Sequence, residues 1–122
     1  MHMTRKQFTT LALAAAAMSG AWAQGAYPNK TVTFVVPAAA GGTTDISGRM
    51  AAQALAPVLG QAVVVDNKGG GNGAIAANIV KRAEADGYTL LMQYSGFHVI
   101  SPHLAKVPQW EQKDFQPIAN II

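Results

Sequence analysis

The sequence contains no cysteine among its 122 residues, which excludes disulfide bonds, cysteine-ligated metal sites and thiol chemistry. It also contains no internal repeat, no low-complexity tract and no linker-like stretch. Beyond the first 23 residues, no run is apolar enough to span a membrane, which takes about 20 residues. Half of the residues are apolar, so the composition suits one small domain with a buried core.

The first residues follow the plan of a secretory signal peptide. Arg5 and Lys6 form a short basic region, Phe8–Ala17 is mostly apolar and uncharged, and Ala21-Trp22-Ala23 is an A-x-A cleavage site. We therefore predict a signal peptide over residues 1–23, cleavage before Gln24 and a periplasmic location. A membrane anchor and a buried core helix are the alternatives. Twin-arginine export also stays open, although Lys6 replaces the second arginine.

Little net charge remains once the signal is removed. Nine basic residues less Arg5 and Lys6 leave seven, against six acidic residues, so the remaining chain carries about +1. No basic cluster is left in it. Nucleic-acid binding is therefore not expected, because it needs a positive patch, and the processed chain is not expected to be membrane-embedded.

The rest of the chain alternates strand-like and helix-like segments. Strands are predicted at Thr31–Val36, Ala62–Val65, Thr89–Tyr94 and Phe115–Ile122, and helices at Thr44–Leu59 and Ala74–Ala83. The segment from His103 to Trp110 is predicted to be irregular with a short helical turn, and Asp86-Gly87 to be a turn. This order predicts the α/β class, a parallel sheet with flanking helices and right-handed crossovers.

The two predicted helices carry recognisable end signals. Thr43 or Thr44 is expected to cap the first helix, with Asp45 in its first turn; Gly60 ends that helix, and Pro57 is expected to kink or loosen its last turn. Apolar residues recur along one face of it at a spacing of four: Ile46, Met50, Ala54 and Val58. In the second helix the inner side is predicted to be bounded by Ile75, Ile79 and Arg82.

Ligands of parallel sheets bind beyond the carboxyl ends of the strands. Three segments qualify here: Pro37–Asp45, Asn67–Gly73 and the loop predicted at Ser95–Val99. In the first, Gly41-Gly42-Thr43-Thr44 leads into a helix start, whose free N–H groups and partial positive charge suit a carboxylate. An ordinary strand-to-helix turn is the alternative. No neighbouring residue is an evident partner for Asp45, so it is interpreted as a helix-start residue and not a catalytic acid.

Two enzymatic or cofactor alternatives are weaker. Gly71-x-Gly73-x-x-Ala76 matches a relaxed dinucleotide fingerprint, but no acidic residue follows at the required distance. Ser95 and His98 allow a hydrolase reading, yet the chain has no Gly-x-Ser-x-Gly elbow. The histidines do not have metal-ligand spacing. No metal or cofactor is therefore predicted.

Several motifs, in order, resemble the Bug family, the extracytoplasmic solute receptors of tripartite tricarboxylate transporters. The motifs are Tyr27-Pro28-Asn29-Lys30, Val35-Val36-Pro37-Ala38-Ala39-Ala40-Gly41-Gly42-Thr43-Thr44-Asp45, Leu59-Gly60-Gln61-Ala62-Val63-Val64-Val65-Asp66-Asn67, Ala85-Asp86-Gly87-Tyr88-Thr89-Leu90-Leu91 and Asp114-Phe115-Gln116-Pro117-Ile118. They cover nearly all of the chain after the signal. Two stretches depart from the family, Ala38-Ala39-Ala40 and Asn67-Lys68-Gly69, where it commonly has bulkier or proline-containing sequences.

This resemblance implies a two-lobed, Venus-flytrap fold of the type II periplasmic-binding-protein kind. Residues 24–122 would form the N-terminal portion of its first lobe, without the second lobe. It further implies a small carboxylate ligand, held largely by backbone groups and waters, and partnership with the membrane components of such a transporter. The implied ligand-binding residues are Pro37, Ala38, Ala40, Gly41, Gly42, Thr43, Thr44, Asp45, Asn72, Ser95 and His98. Alone, this stretch is expected to be marginally stable or aggregation-prone and to bind weakly or not at all.

Overall fold

The protein folds around a parallel three-stranded sheet with helices on both faces. A computed structural model describes residues 25–104 and 110–121. The strands are β1 (Val32–Val36), β2 (Val63–Asn67) and β3 (Thr89–Leu91), and the sheet order is β2-β1-β3. The helices are α1 (Thr43–Leu59), α2 (Ala74–Arg82), α3 (Ser95–Val99) and α4 (Ser101–Leu104), with 3-10 turns at Gly71–Gly73 and Gln112–Asp114. The predicted α/β class and parallel sheet are confirmed.

β1 is the central strand because its sequence is apolar and largely β-branched. Four of its five residues are buried, as expected for a strand covered on both faces. It pairs with β2 from Val32↔Val63 to Val36↔Asn67 and with β3 from Thr33↔Thr89 to Val35↔Leu91. The register extends past the strand ends, where Lys68 N–H donates to Val36 O (2.8 Å) and Met92 N–H donates to Val35 O (2.9 Å).

The two faces of the sheet have separate cores. Leu90 and Met92 pack with Phe34 and Ala52 on the α1 side, whereas Leu91 packs against a second cluster. Because successive strand side chains point to opposite faces, the two clusters lie on opposite sides of the sheet. The second cluster consists of Ala77 of α2, Phe97 of α3 and Trp110, with Leu91 and Phe115 at its edge.

α1 packs through small residues and not through the face expected from its apolar spacing. Its buried residues are Asp45, Gly48 and Ala52, and a Cβ on Gly48 would lie 3.5 Å from Val36 Cγ2. The helix therefore lies close against the sheet, and its large apolar side chains point outward. Their exposed fractions are 52% for Ile46, 67% for Met50 and 79% for Val58.

α2 also packs against the sheet through small residues and not through the side predicted from its larger ones. Ala76 and Ala77 are buried, while Ile75 is 50% and Ile79 38% exposed. Arg82 is exposed as well. The contact with the sheet is therefore made by Ala76 and Ala77 and not by the predicted residues. Their small side chains let the helix axis approach the strands.

Four further element predictions differ from the structure. β3 ends at Leu91 and not at Tyr94, and the predicted loop at Ser95 is the short helix α3. The described residues of the segment 115–121 form no strand. β2, in contrast, is longer than predicted and runs to Asn67. The predicted signal peptide, residues 1–23, and most of the segment 103–110 lie outside the described residues.

Candidate functional site

The strand order creates a point where neighbouring strands lead to opposite faces of the sheet. β1 is followed by α1 on one face, and its neighbour β3 is followed by α3, whose Phe97 belongs to the cluster on the other face. In open parallel sheets, ligands bind outside the carboxyl ends of two strands related in this way. The predicted loop at Pro37–Asp45 and the Ser95–His98 stretch are the two segments that leave this point.

The β1–α1 loop exposes backbone next to a helix start. Pro37 is buried and Ala38 is half-buried, whereas the stretch from Ala39 to Thr43 is exposed. Gly41 has a φ of 85°, a conformation that glycine adopts without strain. The loop therefore presents peptide groups to solvent with little side chain to cover them.

The start of α1 leaves its first amides without a partner within the helix. Gly42 is the N-cap residue and no side chain caps the helix, so the predicted threonine cap is wrong: Thr43 and Thr44 lie inside the first turn. Ile46 N–H makes the first hydrogen bond of the helix, to Gly42 O (3.0 Å). The N–H groups of Thr43, Thr44 and Asp45 precede that bond and have no acceptor within the helix. This is the arrangement that suits an anion.

Asp45 is a buried acid with several partners, contrary to the expectation that none is near. It is 3% exposed. Its Oδ2 accepts from Gly41 N–H (2.7 Å), and its Oδ1 accepts from Asn67 Nδ2 (3.0 Å) and pairs with Arg49 Nε (3.0 Å). These contacts, above all the Gly41 N–H, then Arg49 and then Asn67, hold the pKa of Asp45 below its ordinary value against the opposing effect of burial.

Asn67 was missed as a site residue by reasoning from the sequence. It ends β2, and its Nδ2 donates to Ala38 O (3.2 Å) as well as to Asp45. A polar amide at the last position of a buried-sheet strand was the available signal. Gly69 also lies against this loop, since a Cβ there would be 3.5 Å from the carbonyl carbon of Ala38. The loops after β1 and β2 are therefore in direct contact.

The glycine-rich segment after β2 is shaped for packing. Asn72, a predicted ligand residue, is exposed with a φ of 50°. Gly73 is buried against the ring of Phe97, so it serves the contact between this turn and α3. This use of Gly73 gives the dinucleotide alternative no support.

The third segment does not assemble a hydrolase site. Ser95 is exposed at the start of α3, and His98 is half-buried with its ring 6.1 Å from that of Trp110. His98 Nδ1 lies 2.6 Å from Gln93 Nε2. Within residues 25–104 and 110–121, no carboxylate pairs with His98 and no hydrogen bond joins it to Ser95. Gln93, which follows β3, is a second residue that the sequence analysis did not single out.

The described residues also offer little for metals or membranes. Among them, no group of three or more histidine or acidic side chains could hold a metal ion. Within the same ranges, no helix is both long and apolar enough to cross a bilayer. No hydrogen bond, ion pair or ring contact among the described residues links the Ser95–His98 stretch to the β1–α1 loop, so no polar or aromatic contact joins the two segments that flank the switch point.

Comparison with known sequences identifies close relatives. A UPF0065 protein of Agrobacterium vitis is 45% identical over 91 residues, which are 72% of this chain and 26% of that protein. Protein BugT of Bordetella pertussis is 36% identical over 96 residues, 78% of this chain and 29% of BugT. The chain thus spans less than a third of the length of these relatives.

Solved structures that resemble this chain come from similar proteins. An R. palustris protein solved with adipate matches with a TM-score of 0.68 and 37% identity, over 71% of this chain and 29% of its own. MatC from Rhodopseudomonas palustris, solved with bound malate, matches with a TM-score of 0.52 and 43% identity, over 53% of this chain and 22% of its own.

A family model matches residues 47–122, which is more than half of the chain, and it describes the tripartite tricarboxylate transporter family receptor. Members of this family are periplasmic solute-binding receptors. The resemblance found in the motifs is therefore confirmed: the chain belongs to the tripartite tricarboxylate transporter receptor family, to which the Bug proteins also belong.

Proposed function

We propose that this chain is the N-terminal, ligand-contacting part of an exported receptor that captures small carboxylates in the periplasm for tripartite tricarboxylate-type uptake. It acts by binding and performs no catalysis. Its expected partners are the carboxylate and the membrane components of the transporter. The signal-peptide pattern of residues 1–23 supports the export step.

The observation that carries this proposal is the divergence of β1 and β3. Their following segments lead to opposite faces from adjacent positions in the sheet, and ligands of parallel sheets bind at such points. We assign ligand contact to the β1–α1 loop on one side and to Ser95 and His98 on the other, with Asn72 at the neighbouring turn.

The chemistry of the β1–α1 loop favours an anion. The unpaired amides of the first turn of α1 carry the positive end of a helix of 17 residues. The acid beside them, Asp45, is matched by the Arg49 guanidinium at 3.0 Å, so it does not oppose a negatively charged ligand with a full charge. The exposed Gly41 and Gly42 leave room for a carboxylate to approach the backbone.

The relatives narrow the ligand class. One was solved with adipate and another with malate, and both molecules are short dicarboxylates. A ligand of that class would place one carboxylate on the first turn of α1. Its second carboxylate would lie toward the segment after β3 or toward residues of the relatives that this chain does not span.

Backbone NMR on the full chain tests the proposal, because it detects even weak binding. Malate and adipate are titrated separately, at constant ionic strength, into the uniformly ¹⁵N-labelled chain. We expect saturable shifts confined to amides of residues 41–45 and 95–98. A diamine and a diol of matched length serve as controls, and sulfate tests for unspecific anion binding.

The controls decide the substrate class. Shifts at these amides with the dicarboxylates and not with the diamine or diol support the proposal. If neither dicarboxylate shifts these amides while the diamine or the diol does, the carboxylate assignment is wrong. Equal shifts with sulfate would reduce the site to an unspecific anion site.

A further inference from the structure

The acid beside the proposed ligand loop has its oxygens engaged by the protein itself. Asp45 Oδ2 accepts a hydrogen bond from Gly41 N–H. Its Oδ1 accepts one from Asn67 Nδ2 and pairs with Arg49 Nε, and all three distances lie between 2.7 and 3.0 Å. The residue is 3% exposed. A carboxylate buried and satisfied in this way has little capacity left for a ligand.

The same three side chains connect two strand ends. Asn67 lies at the end of β2 and donates to Ala38 O in the loop after β1 (3.2 Å). Arg49, in the second turn of α1, donates from Nη2 to Asn67 Oδ1 (3.2 Å). Each side chain thus bonds to both others, and the triangle joins α1, β2 and the β1–α1 loop.

We propose that Asp45, Asn67 and Arg49 form a positioning network that fixes the β1–α1 loop in its ligand-binding conformation, and that the carboxylate of Asp45 does not itself contact the ligand. This inference deepens the proposed function and rests on it, because the loop conformation is a ligand-binding one only under that function. It revises the expectation from the sequence that Asp45 is a ligand residue.

The physical basis is the fixed direction of Gly41. Its φ of 85° is one of several conformations open to glycine, so the residue needs an external contact to hold it. The bond from its N–H to Asp45 is that contact, and the Asn67–Ala38 bond holds the other side of the loop. A rigid loop presents the neighbouring amides without an ordering cost at binding.

An isosteric variant separates charge and acceptor number from size. In Asp45→Asn, a single oxygen replaces two, and the new NH₂ group faces donors on whichever side it lies. Either the Gly41 bond or the Asn67 and Arg49 bonds must then be lost. Asn67→Ala is the second variant, because it leaves the charge of Asp45 in place and removes the bond to Ala38.

Amide hydrogen exchange on the full chain measures loop order without any ligand. Exchange at Gly41 is read relative to Val35 in the central strand, which is 1% exposed and reports global opening. We expect the exchange of Gly41 to accelerate about tenfold in Asp45→Asn relative to Val35, the effect of losing one charge-assisted hydrogen bond. In Asn67→Ala we expect a smaller acceleration of the same sign.

Asp66→Asn is the matched control. Asp66 neighbours Asn67 in β2, is half-exposed and, among the described residues, pairs with Lys68 at 3.1 Å, so the same change of charge should leave Gly41 unaffected. Unchanged relative exchange at Gly41 in both Asp45→Asn and Asn67→Ala would overturn the inference, as would an equal acceleration in Asp66→Asn.

The dicarboxylate titration distinguishes failure of this inference from failure of the proposed function. If the wild-type chain responds to the diamine or the diol and to neither dicarboxylate, the proposed function fails, while the exchange result still decides whether the network orders the loop. If the wild type binds, we expect the affinity to fall about tenfold in Asp45→Asn and to be unchanged in Asp66→Asn. Binding that is unchanged in Asp45→Asn despite a released Gly41 amide would overturn the positioning role.

Discussion

The ring of Phe97 lies directly against the backbone of Gly73, so that a Cβ on this glycine would come within 2.0 Å of Phe97 Cε2. Phe97 stacks in turn on Trp110, with ring centroids 4.6 Å apart. The contact fixes the glycine-rich turn after β2 to α3 after β3. It therefore sets where two of the three predicted ligand segments lie relative to each other.

Replacing Gly73 by alanine is expected to destabilise the fold by about 2–4 kcal/mol. The φ of 82° costs a side chain about 1 kcal/mol, and the overlap with the Phe97 ring adds about 1–3 kcal/mol. Urea unfolding followed by Trp110 fluorescence measures the change. Trp110 is 4% exposed and belongs to the same cluster.

Gly60→Ala is the control for that variant. Gly60 has a similar backbone, with a φ of 65°, but nothing lies within 4 Å of its Cβ position. Its replacement should cost only the backbone contribution of about 1 kcal/mol. Equal losses in the two variants would show that the Phe97 contact is unimportant.

The elements that could be predicted were those with strong local signals. The apolar, β-branched run of β1 predicted a buried strand, and Gly60 predicted the end of α1, where it has the expected left-handed conformation. The alternation of elements gave the parallel order. These features depend on residues close together in the sequence, which is why one sequence sufficed.

The inward face of each helix could not be predicted from apolar spacing. Spacing identifies large side chains, but the distance between a helix and a sheet is set by the smallest residues at the contact. In α1 this contact is made by Gly48 and Ala52, and in α2 by Ala76 and Ala77. Burial was decided by tertiary packing, which involves β1 and β2 for α1 and β1 and β3 for α2.

Polar substitutions along α1 test which of its faces is buried against the sheet. Met50→Gln should change stability by no more than about 0.5 kcal/mol, because the side chain is 67% exposed and glutamine has a similar helix propensity. Ala52→Gln, on the same helix but 5% exposed, should cost about 2 kcal/mol or more through overpacking and an unsatisfied amide. Denaturant midpoints compare the two. A larger loss of stability in Met50→Gln than in Ala52→Gln would show that the buried face is the one expected from apolar spacing.

The site was predicted in outline and missed in its supporting contacts. The loops were identifiable because strand-end glycines and a helix start are local signals. Asn67 and Gln93 were not, because their roles come from partners 22 and 5 residues away that only the fold brings to them. Asp45 and Arg49, in contrast, form an i,i+4 pair on α1, so this partner of Asp45 was a local signal that the sequence analysis did not use.

Changing the N-cap residue separates stability from binding at the β1–α1 loop. Gly42 is exposed with φ −77° and ψ 167°, a backbone that suits an N-cap side chain. Gly42→Asp should therefore stabilise α1 by a few tenths of a kcal/mol. Its charge at the proposed anion site should nevertheless lower dicarboxylate affinity about five- to tenfold, as measured by NMR titration.

Gly42→Asn controls for the size of the new side chain. Asparagine caps a helix about as well as aspartate but carries no charge. We expect it to keep the gain in thermal stability and to bind the dicarboxylate several-fold more tightly than Gly42→Asp. Equal affinities in the two variants would place the ligand away from the start of α1.

Acid sensitivity offers a separate test of the contacts of Asp45. The Gly41 N–H, the Arg49 guanidinium and the Asn67 amide lower the pKa of Asp45 in the folded chain. A carboxyl whose folded pKa is depressed stabilises the fold fully above its unfolded pKa of about 3.9, and this stabilisation is lost as pH falls through the lower folded value. The wild-type chain should therefore lose its advantage over Asp45→Asn on acidification.

Comparing the wild-type chain with Asp45→Asn at each pH removes the contribution of other carboxylates to the pH dependence of stability. The pKa values of Asp86 and Asp114 are also lowered, by the Tyr88 N–H and by Lys81 respectively as the main causes, but both acids are present in each variant. Urea unfolding from neutral pH to the acid limit should thus show two stability curves that converge only below the ordinary carboxyl range. A constant gap at all pH values would contradict this prediction, because it would mean that the contribution of Asp45 to stability does not depend on its charge.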